Sequence, residues 1–167
     1  DPESLKRILG KTAKLTFHMV HPTTPYANVS LPYVPTGYKI IAEDEKSSDR
    51  AKGKENVNYV IRKKIEISGE SLIDARANYI DGEARVSFKF DSQGTQRFGE
   101  ITANNVNKLF AIILDNKVIS APVIREPIYG GSGVISGSFT IESATELALL
   151  LRAGSLPAPL NIIEERT

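Results

Sequence analysis

The two histidines are the first residues to consider for catalysis, because a Ser-His-Asp site needs one of them as its base. His18 lies in the run 13–19, where apolar and polar residues alternate, which predicts a strand with His18 on its solvent side. His21 stands beside Pro22, where that strand ends. Residues three apart on a strand point to opposite faces, so the pair does not predict a metal site. We expect both histidines at the surface, and we predict no catalysis and no metal.

The loop Gly130-Gly131-Ser132-Gly133 is the second candidate, because glycine-rich loops can cradle a phosphate with backbone N–H groups. A P-loop also needs Lys-Ser or Lys-Thr at the start of a helix, whereas here Val134-Ile135 predicts a strand. A flexible hairpin is therefore favoured. The alternative, an enzyme or a small-ligand-binding domain that uses this loop, stays open.

Two charged runs carry less chemistry. Glu164 and Glu165 are neighbours on a predicted strand, so their carboxylates diverge and cannot share a substrate. The basic run Arg62-Lys63-Lys64 lies among acidic residues and is predicted to be a solvated face. Neither run predicts an active site.

Composition excludes several classes of protein. The 167 residues contain 21 Lys and Arg against 20 Asp and Glu, so no net field favours nucleic acid, and the absence of cysteine excludes disulfides and thiolate chemistry. Apolar runs reach about six residues, far below the ~20 that span a bilayer. The chain starts on a helix-capping residue without Met. We expect a soluble fragment excised from a longer protein.

The densest strand signal lies between residues 109 and 124. Leu109 to Leu114 are all apolar, which predicts a central strand covered on both faces. Asp115-Asn116 suits a tight hairpin turn into a return strand from Val118 to Ile124. Pro122 cannot donate to a ladder, so it should lie at a free edge or at a bulge.

The remaining patterns predict two more helices and several strands. One helix starts at Asp91 or Ser92 and runs to about Val106, and another runs from a Thr140 cap to Gly154. Leu72 to Tyr79 is read as a turn of helix or an irregular connector. Strands or short strands are predicted over 38–41, 57–68, 84–90, 134–135 and 160–165, and an exposed excursion over 42–56.

The two ends of the chain repeat one organisation. A helix over residues 1–10 and a strand to Val20 are matched by the Thr140 helix and the strand over 160–165. This predicts an α+β fold with a ferredoxin-like base of two αβ halves, residues 1–21 and 139–167, which lacks its first strand. Residues 22–138 would form an inserted mixed α/β head, packed separately.

Three segments carry a resemblance to a known family: ISAPVIREPI followed by GGSG (119–133), LLLRAGSLPAPL (149–160) and LGKTAKLTFHMV (9–20). They resemble the first periplasmic domain of the SecD family, membrane subunits that assist the bacterial protein-export channel. Asn107 and Asn116 stand where the family has glycine, and both tolerate positive φ. The resemblance implies an inner-membrane protein with this domain in the periplasm, no enzyme activity and no cofactor. It implies binding of unfolded preprotein, movement driven by proton flow through membrane helices outside this chain, and SecF and the SecYEG channel as partners.

The resemblance and the exposed sheet edges together suggest the functional residues. Phe88, Pro122 and Tyr129 are candidate preprotein contacts. The crossings His21-Pro22 and Gly137-Ser138 are a candidate hinge between head and base. The alternative is a purely structural spacer that does not contact unfolded chains. The residues expected to shape turns are Asn107, Asn116, Gly130, Gly131, Gly133 and Gly154.

Overall fold

The computed structural model describes residues 14–27, 34–43, 57–136 and 139–155. Within these ranges the chain forms ten strands, two α-helices and a 3₁₀ turn at Gly69–Ser71. The elements are β1 (Leu15–Met19), β2 (Tyr26–Ala27), β3 (Tyr38–Ala42), β4 (Asn58–Arg62), β5 (Ile67–Ser68), β6 (Leu72–Ile80), β7 (Glu83–Phe90), α1 (Ser92–Asn104), β8 (Phe110–Leu114), β9 (Lys117–Ser120), β10 (Ser132–Ile135) and α2 (Ile141–Gly154).

The strands form three antiparallel sheets. The central sheet has the order β5-β1-β8-β9, the long-hairpin sheet β10-β7-β6 and the small sheet β2-β4-β3. This is the predicted mixture of α and β structure. The ferredoxin-like arrangement stays a prediction, because the helix expected over 1–10 and the strand expected over 160–165 lie outside the described residues.

The central sheet is covered on both faces. On one face, Leu15, Phe17 and Met19 of β1 join a main core with both helices and the long-hairpin sheet. On the other face, β8 contributes Ala111 and Ile113 to a second core with the small sheet. Every residue of β1 and β8 is buried as a result. The central strand predicted at residues 109–114 is confirmed.

The alternation predicts His18 at the surface, and this prediction is wrong, because the residue is only 2% exposed. The pattern correctly places His18 on the face of β1 that is opposite to Phe17, but the end of β4 covers that face. The Nδ1–H of His18 donates to the Arg62 carbonyl at 2.8 Å, since a carbonyl can only accept. Nε2 then accepts from the Thr16 hydroxyl at 2.9 Å.

Residues 72–79 form β6 rather than a helical turn or a connector. Asp81 and Gly82 have φ values of 52° and 80°, the left-handed pair that closes a two-residue hairpin onto β7. A register shift between Leu72 and Asp74 interrupts the alternation at the start of the strand. That bulge hides the period of two in the sequence.

The strand predicted over residues 57–68 is divided in two. β4 pairs with β3 in the small sheet, and β5 pairs with β1 in the central sheet. Between them, Glu66 donates its backbone N–H to the Phe17 carbonyl at 2.8 Å. Arg97 of α1 holds the same residue through an ion pair with the Glu66 carboxylate and a bond to its carbonyl. Glu66, where the chain passes from the small sheet to the central sheet, is thus held by both β1 and α1.

Both helices have the predicted caps. Asp91 accepts from the Gly94 N–H at 2.8 Å, and Thr140 forms a capping box with Ser143. α2 ends at Gly154 as expected, whereas α1 ends at Asn104, before the predicted Val106. Asn107 and Asn116 adopt φ values of 73° and 66°. The two asparagines thus take the left-handed backbone that the turns require.

The described parts of the predicted base and head share one core. β1 pairs with β8 over five residues, and the main core combines Phe17 of β1 with Phe90 of β7 and Leu151 of α2. The boundaries 1–21, 22–138 and 139–167 stay a prediction. A head packed separately from both ends of the chain is nevertheless not what these residues form, because apolar side chains from all three parts are buried against each other.

Candidate functional site: a cleft between two sheet edges

A cavity of about 310 Å³ opens between β10 and the segment that follows β9. β10 is an edge strand of the long-hairpin sheet, and β9 is an edge strand of the central sheet. The cleft therefore lies where two sheets of the same core come together. Its lining residues are Arg85, Phe88, Phe98, Thr102, Phe110, Ile112, Pro122, Val123, Ile124, Arg125, Glu126, Ile128, Gly133, Val134 and Ser136.

Three aromatic rings form the floor of the cleft. The ring centroids of Phe88 and Phe98 are 5.9 Å apart, and those of Phe98 and Phe110 are 5.7 Å apart. Each ring is at most 7% exposed, so the floor is fixed by packing on its inner side. The edge-to-face contact of Phe88 with Phe98 and the tilted contact of Phe98 with Phe110 favour one arrangement of the rings over others. The cleft thus presents a preformed apolar surface.

Gly133 makes room for the Phe88 ring. A Cβ atom at this position would lie 2.4 Å from Phe88 Cζ, closer than any side chain permits. Gly131 has a different role, because its φ is 83° and a Cβ there would meet Thr95 Oγ1 at 2.2 Å. Gly130 has no atom within 4 Å of the corresponding position. Of these three glycines, Gly131 and Gly133 are required by their surroundings.

The glycine loop also has its backbone engaged in pairing. The Gly131 carbonyl accepts from the Phe90 N–H at 2.8 Å, and residues 132–135 pair with β7. Within the residues that the structure describes, no group of three His, Asp or Glu residues could hold a metal ion. Gly133 lines the cleft, and the alternative of a ligand-binding glycine loop stays a prediction.

The second wall of the cleft is held from both ends. Phe110 donates its N–H to the Pro122 carbonyl at 2.9 Å, after a register shift in the β8–β9 pair. At the far end, the Ile128 N–H donates at 2.8 Å to the hydroxyl of Thr102, which is fully buried. Thr102 in turn donates to the Phe98 carbonyl at 2.8 Å. Sequence reasoning missed Thr102, since one threonine within a helix gives no signal.

The mouth of the cleft is partly apolar and partly charged. Val123 is 43% exposed and Val134 is 52% exposed, one on each side of the opening. Arg85, Arg125 and Glu126 supply the charges. Large exposed aliphatic side chains beside an apolar cavity are typical of a surface that contacts another apolar chain.

The structure brings together two of the three predicted contact residues. Phe88 and Pro122 both line the cleft, and Phe88 is reached through it rather than from the open surface. Tyr129, 68% exposed, lies outside the cleft. Its ring covers Gly99 of α1 and borders a separate open depression of about 450 Å³.

The first predicted hinge crossing is held in place. The His21 N–H donates to the Val60 carbonyl at 2.9 Å, and its ring packs on Tyr38 with centroids 4.6 Å apart. The neighbouring Val20 is bridged to Ile61. A rotation about His21 and Pro22 would have to break these contacts. The second crossing, Gly137-Ser138, lies outside the described residues.

In the described ranges, neither α-helix has the length and apolar character needed to cross a membrane.

Burial lowers the pKa of His18 below its ordinary value of 6.5, the nearby Lys39 charge adds to that shift, and the hydrogen bond to the Arg62 carbonyl opposes it. His18 is thus held in its neutral form inside the fold.

Comparison with known proteins identifies the family. The family model described as SecDF, P1 head subdomain, matches residues 42–158, whereas the sequence predicts the head over 22–138. The protein translocase subunit SecD of Rickettsia bellii is 52% identical over 100% of this chain, which spans 31% of that protein, and SecD of Acetobacter pasteurianus is 45% identical, with 30% of its length covered.

Solved structures show the same fold. A structure of SecDF, described as a membrane component that enhances protein export, has a TM-score of 0.61 and 32% identity over 95% of this chain and 70% of that chain. SecDF from Thermus thermophilus, described as a translocon-associated membrane protein, has a TM-score of 0.60 and 31% identity over 95% of this chain and 22% of that one. The chain therefore belongs to the SecD family of protein translocase subunits.

Proposed function

We propose that this domain contributes to protein export by binding unfolded preprotein in the cleft between β10 and the segment after β9. The observation that carries the proposal is the cavity itself, which has an aromatic floor and opens between two sheet edges with Val123 and Val134 exposed at its mouth. An unfolded chain offers the two features such a place can use: unpaired backbone groups and alternating apolar side chains.

The mode of binding follows from strand geometry. β10 pairs with β7 on one side and with no other described strand on the opposite side, so one row of its backbone groups can accept an extended segment. Successive side chains of that segment point to opposite faces, so every second one can enter the apolar cleft. Backbone pairing does not depend on sequence, which suits a site that must accept many different preproteins.

Binding must be weak for the preprotein to be released. A site that captures and releases unrelated chains should have a Kd of about 1 μM or higher, which corresponds to about −8 kcal/mol or weaker. One charge that crosses 100 mV supplies about 2.3 kcal/mol. Modest differences in affinity are therefore what proton flow through membrane helices in the full-length protein could drive.

We further propose that the full-length protein places this domain on the periplasmic side of the inner membrane, with SecF and the SecYEG channel as partners. The family membership and the names of the relatives support this proposal. Because Phe17, Phe90 and Leu151 share one core, the described residues should move as a unit during export. This differs from a hinge at His21 and Pro22.

A disulfide across that crossing tests movement as a unit. Cysteines at Val20 and Ile61, which are bridge partners on antiparallel segments, are close enough to oxidise. Export by the full-length protein should be unchanged when the bond forms, because the two positions do not separate. The same variant kept reduced is the control for the substitutions themselves. A block of export only in the oxidised form would favour the predicted hinge over movement as a unit.

Peptide binding tests the proposed cleft. A blocked, fluorescently labelled peptide of seven alternating Leu and Thr residues is expected to bind this domain with a Kd of about 1–100 μM. Val134→Asp should weaken that binding at least about tenfold, because it places a charge where apolar side chains must enter. Fluorescence anisotropy measures both affinities.

Ile73→Asp provides the matched control. Ile73 is 57% exposed on β6, does not line the cleft and should leave peptide affinity unchanged. Both variants should unfold within about 0.5 kcal/mol of the parent, as expected for exposed positions. No binding by the parent at millimolar peptide, or equal losses in both variants, would contradict the proposed site and favour a structural spacer.

A further inference from the structure

Arg85 stands out among the residues that line the cleft. It lies on the face of β7 opposite to Phe88, and its side chain, 29% exposed, lines the cleft from that face. Its Nη2 contacts Glu83 Oε1 at 3.3 Å. Its Nε is buried and has no hydrogen-bond acceptor within the described parts of the chain. The guanidinium is thus held at the cavity with part of its donor capacity unused.

Arg97 differs from Arg85, because each of its three guanidinium nitrogens has a hydrogen-bond partner. Its Nη2 pairs with the Glu66 carboxylate, its Nε donates to the Glu66 carbonyl, and its Nη1 reaches Glu100. Arg97 thereby holds α1 against the segment that precedes β5, which is a structural role. Among the described residues, Arg85 has one hydrogen bond, at 3.3 Å to Glu83 of its own strand, and none to another element. Its placement at the cleft therefore needs a different explanation.

Two guanidinium groups offer the cleft donors for an anion. Arg85 and Arg125 line it together with Glu126, and Glu83 pairs with Arg85 from 3.3 Å. The adjoining floor is formed by aromatic and aliphatic side chains, where charge interactions are screened less than in water. A guanidinium offers N–H donors in a planar fork that matches a carboxylate.

We propose that Arg85 anchors a carboxylate of the bound polypeptide, so that the cleft prefers apolar segments that contain an acidic side chain or end in a free carboxyl group. The inference rests on the proposed function, since it assigns a specificity-determining residue to the same cleft. The carboxylate accepts from the Arg85 guanidinium, whose donors are only partly used among the described residues, while neighbouring apolar side chains occupy the floor.

Four peptides separate the possibilities. The first is the blocked seven-residue Leu-Thr peptide with a central Glu, and the second and third carry Gln or Lys in its place. The fourth carries Gln and a free C-terminal carboxylate. Binding of the Gln peptide tests the cleft alone, whereas the ratio between Glu and Gln peptides tests Arg85. Failure of the proposed function and failure of this inference therefore give different results.

We expect the Glu peptide to bind the parent domain about tenfold more tightly than the Gln peptide, and the Lys peptide to bind more weakly than both. The fourth peptide shows whether a terminal carboxylate has the same effect as the side chain. In Arg85→Gln the Glu and Gln peptides should bind equally. Arg85→Lys should retain part of the preference, because it keeps the charge but loses the fork.

Arg76→Gln is the matched control, since Arg76 lies on β6 in the same sheet, is 72% exposed and does not line the cleft. It should keep the tenfold ratio. Circular dichroism checks that each variant is folded. Should Arg85→Gln fail to fold, the parent's ratio is measured from 50 to 500 mM NaCl, where it should fall. Equal affinity of the parent for the Glu and Gln peptides, or the parent's ratio in folded Arg85→Gln, would overturn the inference.

Discussion

Replacing Gly133 with alanine is expected to weaken peptide binding at least about tenfold and to lower the free energy of unfolding by about 1–3 kcal/mol. The new Cβ would lie 2.4 Å from Phe88 Cζ and within 3.0 Å of two further ring atoms. Phe88 cannot move away freely, because its ring packs edge-on against Phe90 and Phe98. The ring must shift, and the floor of the cleft changes shape with it.

Gly130→Ala is the control for this effect. The alanine Cβ would have no atom within 4 Å, and Gly130 does not have a positive φ, so the substitution should be neutral or slightly stabilising. Urea unfolding gives the stability of both variants, and anisotropy with the Leu-Thr peptide gives their affinity. Unchanged peptide affinity in a folded Gly133→Ala variant would show that the cleft floor does not contact the peptide.

Acidification is expected to destabilise the domain through His18. Burial lowers the pKa of His18 in the folded state, whereas the unfolded chain keeps the ordinary value of about 6.5. The stability linked to this group is complete above that value. It falls as the pH drops below it, because only the unfolded chain takes up the proton, and the loss ends at the lowered folded pKa. The limiting slope for one proton is about 1.4 kcal/mol per pH unit.

His18→Gln isolates this contribution. The amide N–H can replace the bond to the Arg62 carbonyl without titrating. The free energy of unfolding, measured by urea at half-unit steps from pH 8 to pH 5, should depend more steeply on pH in the parent than in the variant. Parallel curves would show that His18 is not held neutral by burial.

Local signals in the sequence predict much of the fold. Leu109 to Leu114 and the Asp115-Asn116 turn need only neighbouring residues to be recognised, and so do the caps Asp91 and Thr140. Each depends on backbone conformations and hydrogen bonds within a few positions. β6 was predictable in the same way, since Asp81-Gly82 is a strong hairpin signal, but the bulge near Leu72 obscured the strand before it.

Features made by packing between sheets could not be predicted. The alternation in β1 shows that His18 faces away from Phe17, but not that a second sheet covers that face. The cleft is similar. The sequence points to Phe88 by its bulk and to Pro122 by its missing N–H, and only the tertiary structure shows that they line one cavity. Arg85 carries no signal in the sequence at all.

Site-specific photo-cross-linking during export tests the central claim most directly. A photoreactive amino acid at Val134, 52% exposed at the mouth of the cleft, is introduced into a full-length protein that contains this domain. The control position is Tyr79, 64% exposed at the tip of the β6–β7 hairpin and outside the cleft. With a stalled export substrate, we predict a strong adduct from Val134 and little from Tyr79. Equal yields, or an adduct only from Tyr79, would contradict the cleft as the place where preprotein binds.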